Sequence, residues 1–144
     1  MSDLLSNRVL MVPSAAWLVA QILKVIISLI TERRLNLRLL VSAGGMPSSH
    51  ATLVAALATA VALQHGASST YFAIAVVFAT IVMYDAAGVR RAVGIQARLL
   101  NQMVEEFFAG HPISETHLRE LIGHTPIQVF VGAGLGIGLV WLWM

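Results

Sequence analysis

The 144 residues suit a single domain, and 58% hydrophobic against 11% charged residues departs from soluble proteins, where roughly 25% of residues are charged. A net charge of +2 with no basic stripe leaves too few cations to neutralise a run of phosphates, which excludes nucleic-acid binding. No cysteine is present, so disulfides and thiolate chemistry are excluded and a metal would need His, Asp or Glu ligands.

The first element runs over 9–30 with Lys24 as its sole charge, long enough for a bilayer core that ~20 residues cross. Pro13 is expected in its first turn, where a missing N–H is harmless. No small-residue cleavage site follows, so the helix is expected to be retained. Lys24 lies two turns before the end, about 12 Å deep at ~1.5 Å per residue. Gln21 and Ser28 share its face. That pattern is either a polar stripe turned into a bundle or a lysine snorkelling to the interface.

Thr31-Glu32-Arg33-Arg34 ends the run, and a linker carrying Arg38 leads to the turn Gly44-Gly45. A second apolar run, 48–64, is rich in Ala and Thr and a little short for a span, with Ala51, Ala55, Ala58 and Ala62 forming a small-residue face. Its start, Pro47-Ser48-Ser49-His50, combines hydroxyls, free N–H groups and the positive end of a helix dipole. Such a start binds anions, with His50 placed to protonate a leaving oxygen, or is an ordinary serine cap. His65-Gly66-Ala67-Ser68-Ser69 then turns the chain into a third run, 71–88, charged only at Asp85. A carboxylate there needs a partner such as Arg90, Arg91, Lys24 or a histidine.

From 89 to 108, Val93, Ala97, Leu100, Val104 and Phe107 recur at helical spacing among charged residues, the pattern of an amphipathic helix lying on a membrane surface. Arg90 and Arg91 either grip phosphate in a bidentate manner or mark a cytoplasmic helix end. A polar loop leads to His124, and Gln128 stands one turn on, placed to hold the ring of a nucleophilic histidine. Gln128 cannot stabilise an imidazolium as a carboxylate does. The last run, 126–144, carries Gly132, Gly134, Gly136 and Gly138. These two overlapping small-xxx-small pairs suit close packing against another helix, within the chain or across a homodimer.

The expected fold is all-α: an integral membrane helical bundle of about four transmembrane helices plus one amphipathic interfacial helix. Arg33, Arg34 and Arg38 in one loop, and Arg90, Arg91, Arg98 and Arg119 in the other, put both polar loops on the cytoplasmic face and both termini on the opposite side. Trp17, Tyr71, Trp141 and Trp143 then fall toward the outer interface. His65, His111 and His117 read as loop histidines, no histidine spacing supports a metal, and two charges within spans do not make a transport path.

At the stretches GGMPSSHAT (44–52), IVMYDAAGVRRAVGIQARLLN (81–101) and GHTPIQVFVGAGLGI (123–137), the chain resembles the divergent type 2 phosphatidic acid phosphatase-related membrane proteins. That family is linked to acid phosphatases and vanadium-dependent haloperoxidases. The resemblance implies phosphoryl transfer without a cofactor or metal, in which His124 attacks phosphorus and His50 protonates the leaving alcohol. Lys24, Ser48 and Ser49 would bind phosphate oxygens, with Asp85 and Gln128 in support, and Arg90 and Arg91 stand as substitutes for arginine contacts that the chain lacks at the superfamily's positions. The implied substrate is a lipid phosphate or an isoprenoid pyrophosphate. The alternative is a membrane protein that binds anionic lipid, or serves as an accessory subunit, without turnover. The chain departs from the superfamily pattern at Thr31, where an arginine follows the lysine, at Leu118, where the arginine is shifted to Arg119, and at Gln128, where an aspartate orients the nucleophile. The superfamily's membrane members also usually have six spans.

Overall fold

The computed structural model describes residues 2–33, 35–40, 45–107 and 124–144. All regular structure among them is helical: α1 (Ser2–Ser6), α2 (Arg8–Glu32), a 3₁₀ turn (Leu37–Leu40), α3 (Ser49–His65), α4 (Thr70–Ala87), α5 (Val89–Phe107) and α6 (Pro126–Trp143). The ends follow from local chemistry. Asn7, Ser48, Ser69 and Thr125 each cap a helix start with a side-chain oxygen that accepts a backbone N–H. Gly66, at φ 83°, ends α3 in a conformation that suits glycine. Because Asn7 starts α2 at Arg8, Pro13 lies in the second turn of that helix rather than the first.

Among the described residues three stretches are long and apolar enough to cross a membrane: Arg8–Thr31, Thr70–Val104 and Pro126–Trp143. The protein is therefore an all-α membrane helical bundle. With 17 residues, α3 reaches only about 25 Å at ~1.5 Å per residue, short of a ~30 Å core. Its place in the bundle compensates, since α3 packs against α2, α4 and α6 at once. Small side chains permit this. Ala16, Ala56, Ala60 and Val140 form one core cluster, and Ala51, Ala86 and Val129 form another.

The chain directions follow from the contacts. Arg8, at the start of α2, donates to the carbonyl of Trp143 at the end of α6, so these two helices are antiparallel, the start of one beside the end of the other. In contrast α3 and α6 run parallel. A Cβ on Gly132 would meet the backbone of Ser48, and one on Gly136 the backbone of Thr52 and Ala56, whereas one on Gly134 or Gly138 would meet nothing within 4 Å. Of the two glycine pairs, Gly132 and Gly136 serve packing within the chain. With no hydrophobic drive between helices in lipid, such close backbone approach and the dispersion it allows hold the pair together. Thr52 adds a bond, its Oγ1 donating 2.9 Å to the Gly132 carbonyl.

Candidate phosphate site at the paired helix starts

Among the described residues the buried polar side chains are Gln21, Lys24, Ser28, Ser48, Ser49, Thr52, Asn101 and His124. All except Asn101 belong to one region, where the C-terminal half of α2 meets the starts of α3 and α6. The parallel packing of α3 and α6 causes this convergence, because it sets two helix N-termini side by side. Each presents partly unsatisfied N–H groups and the positive end of a helix dipole.

Lys24 is 1% exposed and its Nζ donates 2.9 Å to Ser49 Oγ in the first turn of α3. It does not snorkel. Gln21 and Ser28 are buried on the same face, with Gln21 Nε2 donating 2.9 Å to the Leu40 carbonyl. Ser28 Oγ and Gln21 Oε1 have no hydrogen-bond partner among the described residues, so the stripe keeps unused polar capacity beside the lysine. Gly45, at φ 87°, brings the following turn over the lysine stem, where a Cβ would lie 3.8 Å from Lys24 Cδ. Only a residue tolerant of positive φ suits that turn.

Ser48 is fully buried and caps α3, its Oγ accepting from the Ala51 N–H at 3.4 Å. Its own N–H donates 3.2 Å to the Gln128 carbonyl, a direct tie between the starts of α3 and α6. Pro47 lies just before this cap, outside the helix. His50 is half-buried in the first turn of α3.

His124 is 2% exposed and immediately precedes the cap of α6. Its Nδ1 lies 3.2 Å from Gln128 Oε1, the contact expected from their spacing, and its Nε2 is shut off from solvent. The same Gln128 Oε1 accepts the Thr125 N–H at 3.0 Å, while Thr125 Oγ1 accepts the Gln128 N–H at 3.4 Å. The pair is a capping box, in which two orphan donors are satisfied reciprocally. Thr125 and Thr52 are not among the residues singled out from the sequence. For Thr125 the signal was present, a Thr-x-x-Gln before an apolar run. For Thr52 there was none, since its partner is a backbone carbonyl of another helix.

The family model described as the divergent PAP2 family matches residues 5–139. The chain belongs to this family. The divergent PAP2 assignment agrees with a relative from Bacillus subtilis (strain 168), the uncharacterized membrane protein YuiD, which is 44% identical over 146 residues covering 94% of this chain and 92% of that protein. No solved structure matches.

Asp85 is half-buried in the last turn of α4, next to Ala86, which packs on Ala51 and Val129 beside the two helix starts. Lys24, Ser48, Ser49, His124 and Gln128 are thus brought together through named contacts, and His50 and Asp85 lie at the same end of the bundle. Arg90 and Arg91 fall in the first turn of α5, and their side chains lie outside the described residues. Gly44, His111, His117, Leu118, Arg119 and Gly123 lie outside the described residues as well.

Proposed function

We propose that this divergent PAP2 protein hydrolyses a phosphate ester or pyrophosphate carried on a lipid or prenyl chain, through a phosphohistidine at His124. One observation carries the reading: the parallel packing of α3 and α6, which sets two helix N-termini beside the buried Lys24–Ser49 pair. Two dipole ends and an amine facing one place suit a phosphate. In the proposed cycle His124 Nε2 attacks phosphorus, the bond to the leaving oxygen breaks, and His50 gives that oxygen its proton. Water then attacks the phosphorus–nitrogen bond, yields its proton to His50 and frees inorganic phosphate and the His124 ring. Ser49 and Lys24 hold phosphate oxygens, and Arg90 and Arg91 at the start of α5 would add cationic contacts.

Support for a long-chain substrate comes from an apolar groove of about 360 Å³ between α3, α4 and α6. It runs from Met83, near the site end, past Thr59, Val76 and Ile137 to Trp141 at the far end. The positive charge of the loops favours a site on the cytoplasmic face, with both termini opposite.

Phosphate release from phosphatidic acid and prenyl pyrophosphates by detergent-purified protein tests the reading. Release should fall by at least a hundredfold in His124→Ala and His50→Ala; release unchanged in both would end the mechanism. A second reading, retention of an anionic lipid without turnover, draws on the amide of Gln128 standing where a carboxylate would stabilise an imidazolium. Lipid retained in native mass spectra with no turnover would favour it. A phosphohistidine trapped at position 124 would rule it out.

A further inference from the structure

A glutamine amide has a donor end and an acceptor end, and only its hydrogen bonds say which end faces a neighbour. At Gln128 the choice is forced. The Thr125 main-chain N–H, 3.0 Å away, can only donate, so the atom facing it is the carbonyl oxygen Oε1. His124 Nδ1 lies 3.2 Å from that same oxygen. An amide oxygen only accepts, so Nδ1 must carry the proton. In the neutral ring, Nε2 then holds the lone pair. Turning the amide over would set its NH₂ against the Thr125 N–H, donor against donor, and would undo the cap of α6.

We propose that the Thr125–Gln128 capping box is a tautomer lock for His124, holding Nδ1 protonated so that Nε2 is the nucleophilic nitrogen. The proposal rests on the reading of His124 as the reacting group. It makes Gln128 and the Thr125 N–H positioning groups that act through the ring. The lock is itself anchored, because the Gln128 carbonyl accepts the Ser48 N–H at 3.2 Å, next to the Ser49 hydroxyl that Lys24 holds. The orientation of the nucleophile and the placing of the phosphate-binding hydroxyl therefore share one backbone contact. An amide performs the tautomer-setting half of a carboxylate's role and supplies no negative charge.

The tautomer can be read directly. The full-length protein, labelled with ¹⁵N-histidine in micelles at a pH where the ring is neutral, gives distinct ring-nitrogen shifts for the two forms. Of its five histidines, His124 is assigned by the signal lost in His124→Asn. The Nδ1–H form should exceed the Nε2–H form at least tenfold in the native chain. In Gln128→Met that ratio should fall several-fold, and in Gln128→Glu, whose carboxylate accepts from both donors, it should return. Thr125→Ala removes the hydroxyl and keeps the main-chain N–H, so the Nδ1–H form should persist, which a general loosening of the helix start would not give.

A native chain dominated by Nε2–H overturns the proposal, as does a Gln128→Met ratio equal to the native one. If Gln128→Met fails to fold, the native and Thr125→Ala spectra still decide. The spectra need no turnover. Dominant Nδ1–H in a protein that releases no phosphate would count against the phosphatase and leave the lock standing.

Discussion

Replacing Gly132 with alanine tests the contact on which the candidate site depends. The new Cβ would lie 3.1 Å from Ser48 N and 3.2 Å from its carbonyl carbon, and closer still to its oxygen. These are backbone atoms at a helix start, so no side chain can rotate aside, and α3 would have to withdraw by on the order of 1 Å from a close-packed neighbour. Overpacking of this kind costs about 1–3 kcal/mol, and a rigid obstacle belongs at the upper end. Alanine returns about 1 kcal/mol through helix propensity, leaving a net loss of about 1–2 kcal/mol. At Gly134, where a Cβ meets nothing within 4 Å, only the favourable term applies. The two variants should therefore differ by about 2–3 kcal/mol, a separation on the order of 5–10 °C in Tm for a chain of this size. Thermal unfolding in detergent, followed by fluorescence of the three tryptophans, would resolve this. Phosphate or vanadate binding should weaken in Gly132→Ala, whose Ser48 loses its hold on the Gln128 carbonyl, and persist in Gly134→Ala. A Gly132→Ala protein that melts with or above Gly134→Ala would refute the assigned packing.

Lys24→Met replaces a polar head buried against Ser49 with an apolar chain of similar length, so calorimetric binding of vanadate should fall at least tenfold. Thr52→Val removes the bond to the Gly132 carbonyl and should cost about 0.6 kcal/mol, with ~1.7 as a ceiling, in thermal unfolding. Arg8→Ala removes the donor to the Trp143 carbonyl at the opposite end of the bundle. It should cost about 0.3–1 kcal/mol and leave anion binding unchanged. Because the native chain has no cysteine, Ser68→Cys and Leu37→Cys report sidedness: in intact cells an impermeant maleimide should label position 68 and spare position 37, and the reverse pattern would invert the proposed orientation.

The parts of this architecture legible in the sequence are those set by neighbours along the chain. Lys24 could be placed on a buried stripe because Gln21 and Ser28 stand one turn away on either side, and the structure buries all three. The ring contact between His124 and Gln128 is expected from i, i+4 spacing but has another cause: His124 precedes the cap of α6, and the capping box folds the Gln128 side chain back over the Thr125 N–H and onto the ring. The helix starts were legible where a serine precedes an apolar run, as at Ser48, and where a proline opens one, as at Pro126. Pro13 lies one turn later than expected because Asn7 caps α2 and starts it at Arg8.

What the sequence leaves open is the rotation of one helix against another. Gly132 and Gly136 alternate with Gly134 and Gly138 along α6, and local pattern is the same for both pairs. The structure selects the first pair, since Ser48 and Thr52 bring backbone, rather than bulky side chains, against α6 at one-turn intervals. That choice fixes more than packing. With Gly132 against Ser48 and Gly136 against Thr52 the register is parallel, and only a parallel register puts the cap of α3 beside the cap of α6. Rotating α6 to use Gly134 and Gly138 would carry Gln128 and His124 away from Ser48 and Ser49. The bond between Ser48 N–H and the Gln128 carbonyl would break, and Lys24 would face one helix dipole instead of two. Gly132 and Gly136, which touch no substrate in the proposed cycle, therefore decide whether the two helix starts of the proposed phosphate site come together.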